Sequence, residues 1–181
     1  MEKIRKECET CTLCPLHLSR TNVVFGRGNE RAKLLFVGEA PGAKEDLAGK
    51  PFVGASGKLL EATLREVGIG EDEYYIANIL KCRPPENRDP RPEEVFACTP
   101  YLERQIAKMR PSLVVCLGRI AAAHLIKKDF RITAEHGEVF EKDGQKILAV
   151  FHPAAILRDV RKKGEFLADF EKIRQILAEE K

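Results

Sequence analysis

Four short apolar runs, each separated from the next by at least a helix-length segment, constrain this chain more than any other feature. They are Lys33 to Val37, Tyr74 to Leu80, Leu113 to Leu117 and Lys146 to Phe151. Each is bounded by Gly, Pro or charge and is apolar almost throughout, so each reads as a strand covered on both faces. Between and after them, apolar residues recur at helical spacing. One stripe is Leu59, Leu60, Thr63, Leu64 and Val67, and another is Val95, Cys98, Leu102, Ile106 and Met109. A third, Phe166, Phe170, Ile173 and Leu177, predicts a C-terminal amphipathic helix with a charged outer face. Strands alternating with helical crossovers predict an α/β fold, a parallel sheet with helices on both sides. At 181 residues, a single domain over 1–181 is the default.

Ligands of such sheets bind in the crevice beyond the carboxyl ends of the strands. The unusual residues of this chain fall there. Gly38-Glu39-Ala40-Pro41-Gly42 follows the first strand and leads through Glu45 to Pro51-Phe52-Val53-Gly54. Asn78 lies near the end of the second strand, Gly118 follows the third, and His152-Pro153-Ala154-Ala155 follows the fourth. Four strand ends with polar or glycine-rich turns describe one site built from the whole sheet.

The six cysteines add a second constraint. Cys11 and Cys14 form a close pair, and Cys82 and Cys98 a wider one. Two ligands from a tight turn and two distant ones can close a tetrahedral thiolate site tying the N-terminus to the middle of the fold. No signal peptide is evident, so the expected location is the cytoplasm, where clustered cysteines serve metals more often than disulfides. Cys8 precedes Cys11 by three and competes with it as a ligand. Cys116, in an apolar run, reads as a small core residue.

Composition sets looser bounds. A hydrophobic fraction of 44% with 33% charged residues fits a globular chain, and no apolar run reaches membrane-spanning length. The net charge of +3 permits a polyanionic partner without demanding one.

Together, these motifs resemble family 4 uracil-DNA glycosylases, the iron–sulfur branch of the uracil-DNA glycosylase superfamily. The likeness runs from about Cys11 to the C-terminal helix. It is carried by Arg20-Thr21-Asn22-Val23-Val24-Phe25-Gly26, Gly-Glu-Ala-Pro-Gly, Pro-Phe-Val-Gly, Asn78, Lys-Cys-Arg-Pro-Pro and His-Pro-Ala-Ala-Ile-Leu-Arg. No single motif is specific, but their order and spacing are. The resemblance implies a three-layer α/β/α domain around a central four-stranded parallel sheet. It also implies a [4Fe–4S] cluster on Cys11, Cys14, Cys82 and Cys98, with Cys8 outside it. The implied activity is DNA repair: uracil is flipped out of DNA and its N-glycosidic bond hydrolysed, leaving an abasic site.

Roles follow from that chemistry. In the uracil pocket, lined by Gly38, Phe52 is the stacking platform and Asn78 reads the base edge. His152 donates to uracil O2 as charge develops there, and Glu39 orients water or stabilises the sugar cation. Glu45 is a second acid in the pocket wall. Ser56 and Gly57, opening a helix, offer N–H groups to a phosphate, while Arg83 and Arg88 suit phosphate contacts. The loop reaching Arg158 offers Ile156 or Leu157 as an apolar wedge into the vacated stack. The expected partner is uracil-containing DNA, single- or double-stranded, with no membrane and a monomeric chain.

Two other classes stay open on the residues alone. A zinc-stabilised nucleic-acid-binding module would share the cysteines but has no need of Glu39 and His152. A redox iron–sulfur protein would have no use for Phe52, Asn78 and His152. Within the superfamily, a relative that crosslinks to abasic DNA carries an inserted basic loop that this sequence lacks.

Overall fold

The computed structural model describes residues 1–179. Its strands are β1 (Arg27–Gly28), β2 (Leu34–Gly38), β3 (Tyr74–Asn78), β4 (Leu113–Leu117), β5 (Val139–Lys142) and β6 (Gln145–Val150). The helices are α1 (Glu2–Glu9), α2 (Ala43–Ala48), α3 (Ala55–Glu66), α4 (Pro92–Met109), α5 (Arg119–Leu125), α6 (Ile132–Glu135), α7 (Pro153–Arg158) and α8 (Lys163–Glu179). Short 3-10 turns join several of them.

The four runs read from sequence form the centre of the sheet, where β3, β2, β4 and β6 pair in parallel. The expected four-stranded sheet is nevertheless too small. The described residues form six strands in the order β1-β3-β2-β4-β6-β5, with both outer strands antiparallel to their neighbours. Sequence periodicity misses β1 because two residues carry no pattern. It misses β5 because that strand is largely exposed and charged.

Strand alternation sorts the core into two layers. Leu35, Val37, Tyr75, Ala77, Val114 and Cys116 face α1, α4 and α5. Leu34, Phe36, Ile76, Val115, Leu117 and Val150 face α3, α7 and α8. On the second side Phe36 and Phe170 stack with ring centroids 5.9 Å apart. Both faces of the central strands are sealed, which is why those runs show no polar alternation. Cys116 is fully buried among the first set, as its apolar run suggested.

Candidate active site

The carboxyl ends of β2, β3, β4 and β6 open onto one cleft of about 610 Å³. Its lining includes Glu39 after β2, Asn78 on β3, Gly118 after β4 and His152 after β6, with Phe52 and Glu45 from the long β2–β3 connection. That volume lies in the ordinary range of ligand-binding clefts. The strand-end reading therefore brings together the residues that it named.

Register explains the floor of the cleft. Gly38 and Asn78 are partners across β2 and β3. A β-carbon on Gly38 would stand 2.4 Å from Asn78 Oδ1 and 2.8 Å from the Phe52 ring, so only glycine leaves room for both side chains. Asn78 is 2% exposed, and its Oδ1 is buried without a hydrogen-bond partner. An orphan buried acceptor costs about 1–3 kcal/mol unless a donor arrives to meet it.

Phe52 adopts a left-handed backbone conformation (φ 54°), unusual for an aromatic residue. Several contacts hold it there. Arg27 Nε donates to Pro51 O (2.7 Å) and Arg27 Nη2 to Phe52 O (2.9 Å), while the same guanidinium pairs with Glu61 at 2.6 Å. Glu45 Oε1 accepts from Val53 N (3.3 Å) and Gly54 N (3.2 Å). Glu45 thus faces the cleft while clamping the loop that carries the ring. Behind the loop, a β-carbon on Gly57 would lie 1.8 Å from Phe52 O, so α3 can approach only through glycine.

His152 caps α7, and its Nδ1 accepts from Ala154 N at 3.0 Å. That contact assigns the ring proton to Nε2. Burial, reinforced by the Arg158 charge, pulls the imidazole pKa down to about 4, so the ring is a neutral donor. Gly118 (φ 95°) lets the ring in close, since a β-carbon there would lie 3.0 Å from His152 Cβ. Half-buried Glu39 is shifted the other way. Burial first, then the Asp89 charge, raise its pKa to about 6 against the pull of Arg119. One group is thus kept uncharged and another titrates close to neutrality, the pattern of a site with divided acid–base roles.

The outward residues divide. Leu157 is 50% exposed and free to act as a wedge, whereas Ile156 is 2% exposed within the α3–α8 core. Ile156 is therefore corrected to a packing residue. Gly57 is also buried, and it gives α3 its close approach to Phe52. Arg88 lines the cleft, but its guanidinium is held by both carboxylate oxygens of the buried Glu94 (2.5 and 3.0 Å). That engagement removes it as a free phosphate contact. Arg83 Nε is lightly tethered to Asn87 Oδ1 at 2.9 Å, and Ser56 and Arg158 line the cleft. Asp89 and Arg119 also line it and were missed by sequence reading. Arg119 follows the flagged Gly118 directly, so its position was the available signal.

A second, small apolar cavity is lined by Cys11, Cys14, Cys82 and Cys98, and by Cys8 as well. The fold therefore joins the two distant cysteine pairs, and it places the fifth thiol beside them. Donors already face two sulfurs: Arg20 Nη1 lies 3.2 Å from Cys82 Sγ and Lys81 N 3.2 Å from Cys98 Sγ. Such contacts favour thiolates. Among the described residues, no three His, Cys, Asp or Glu side chains are grouped to hold one metal ion. No helix among them is long and apolar enough to cross a membrane.

Residues 25–178 match the family model described as the uracil DNA glycosylase superfamily. The chain is 47% identical to a type-4 uracil-DNA glycosylase of Archaeoglobus fulgidus, over 97% of this chain and 92% of that protein. It is 42% identical to the type-4 enzyme of Thermotoga maritima (99% and 96% covered) and 41% identical to that of Saccharolobus solfataricus (98% and 87%).

Proposed function

The chain belongs to the uracil DNA glycosylase superfamily, and on that premise we propose that it excises uracil from DNA in repair, hydrolysing the N-glycosidic bond in the strand-end cleft. The observation that carries the reading is the buried, unpartnered Asn78 Oδ1 in the same cleft as His152, whose Nδ1 accepts from Ala154 N and leaves Nε2 to donate. A flipped uracil brings its N3–H to Asn78 Oδ1, its O4 to the Asn78 amide N–H and its O2 to His152 Nε2–H. Phe52 stacks on the ring. As the bond breaks, negative charge gathers on the uracil oxygens and positive charge on the sugar. His152 donates to the first without giving up its proton, a contribution of about 10²–10³ in rate for such contacts. Ionised Glu39 faces the second and orients the attacking water. Ser56, Arg83 and Arg158 hold the phosphates, and Leu157 fills the vacated stack.

The cysteine cavity fits a [4Fe–4S] cluster, since two distant thiol pairs line one small space. Its lining is almost entirely apolar and thiol-bearing, with donors already facing the sulfurs of Cys82 and Cys98. Cys11, Cys14, Cys82 and Cys98 would hold the cluster. Bound there, it would supply a crosslink from the N-terminal segment to the β3–α4 loop through Cys82 and to α4 through Cys98, since the hydrolysis transfers no electron.

The test is release of uracil from a uracil-containing oligonucleotide, with alkali used to cut the abasic product. Intact DNA under saturating enzyme overturns the proposal.

A further inference from the structure

Lys81 sits between the two sites: it lines the cysteine cavity, and its side chain reaches the backbone of Asn78. It is 1% exposed. Its Nζ donates to Asn78 O at 2.8 Å and to Gln105 Oε1 at 2.6 Å. Gln105 is itself fully buried and donates from Nε2 to Phe25 O at 3.0 Å, and the Phe25 ring lies 5.8 Å from the ammonium. Every direct partner of this cation is neutral, and no carboxylate pairs with it among the described residues. A buried ammonium without a counter-charge costs several kcal/mol, so neutral acceptors alone do not account for its place. Lys81 shares the lining of the proposed cluster cavity with Cys8 and Cys98, and its backbone N–H donates to Cys98 Sγ at 3.2 Å. Four thiolates around an iron–sulfur core leave the assembly net negative.

We infer that Lys81 is a positioning residue that takes the cluster as its counter-charge and holds the Asn78 carbonyl, coupling cluster integrity to uracil recognition. The inference rests on the cluster reading of the cysteine cavity. The cation satisfies two demands at once. Toward the cysteines it balances charge, and toward β3 it fixes the backbone from which the base-reading amide projects.

The experiment compares wild type with Lys81→Met and Gln105→Leu, each assayed for iron and acid-labile sulfide. Cluster midpoint potential, excision kinetics and thermal midpoint follow. With the positive charge removed, the Lys81→Met cluster should become harder to reduce, so its potential falls. Its kcat/KM for uracil should drop about 10- to 100-fold, the usual penalty for losing a supporting contact, with affinity for undamaged DNA kept. Stripping the cluster should lower the thermal midpoint of Lys81→Met less than that of wild type. Gln105→Leu keeps the charge, so it should keep the wild-type potential while losing part of the uracil activity. If Lys81→Met fails to load iron, a wild-type potential in Gln105→Leu with reduced uracil kcat/KM still supports the coupling, and unchanged kinetics overturn it. An iron-loaded Lys81→Met with unshifted potential overturns the role of Lys81 alone. Wild type without iron and sulfide overturns the cluster reading, and this inference with it.

Discussion

Asn78 shows how one side chain turns a pocket into a reader. Uracil offers a donor at N3 and an acceptor at O4, while cytosine offers the reverse, and a mismatch in a dry site discriminates by about 10⁴ or more. Asn78→Asp should lose most uracil excision and gain weak cytosine excision, larger at mildly acid pH because cytosine N3 then shares a proton with the carboxylate. Matched U- and C-containing oligonucleotides across pH measure this, and wild-type uracil rates would remove Asn78 from the pocket. Glu39 makes a separate prediction. Its pKa is raised to about 6, so the ionised, active form fills as pH rises through 6 and is lost below it. Single-turnover rates should fall on the acid side of about pH 6, and Glu39→Gln should be slow and flat across that range. His152, with its pKa near 4, is already neutral there, so an acid limb that persists in Glu39→Gln would assign the titration elsewhere.

At the scale of elements, α7 separates two adjacent residues that sequence offered as equals. Ile156 points into the core and Leu157 outward, a distinction that depends on how the helix lies on α3. Leu157→Ala should slow excision from duplex DNA more than from single strands, with the thermal midpoint kept. Ile156→Ala should instead destabilise by about 2–5 kcal/mol, as large-to-small core changes do. Melting curves beside duplex and single-strand rates distinguish them. The central strands were legible because a doubly covered strand is written as an uninterrupted apolar run. The β5–β6 hairpin left a different trace. Its turn is Asp143-Gly144, both at positive φ, a dipeptide that favours a tight hairpin between strands. That signal outweighs the charged, exposed look of Val139–Lys142.

For the whole molecule, the location of the cleft followed from topology, since parallel strands place their carboxyl ends together. What spacing could not supply was partnership. Spacing leaves Arg88 a free cation, whereas Glu94 holds it, and it leaves Cys8 competing with Cys11, a competition that α1 keeps open by packing Cys8 beside the other thiols. Asp89 enters the site from a loop that leaves no periodic mark, and Arg119 from the first turn of α5, directly after Gly118. The cysteine cavity also makes a prediction for the molecule as a unit. Cys11→Ser should bleach a brown protein and lower its thermal midpoint, whereas Cys8→Ser should keep its iron. Iron analysis with melting curves checks both, and iron loss in Cys8→Ser would place that thiol among the ligands.

The edges of the sheet carry a consequence of another kind. One ends in a two-residue strand that includes Gly28, whose left-handed backbone (φ 119°) packs hard against Tyr74. The other ends in a four-residue strand bearing Glu141 and Lys142. Long, flat rows of unpaired backbone groups are templates for strand addition between molecules. This sheet has been stopped short on both sides, so its four sticky central strands are fenced from intermolecular pairing and the route to fibrous aggregation is closed at both borders.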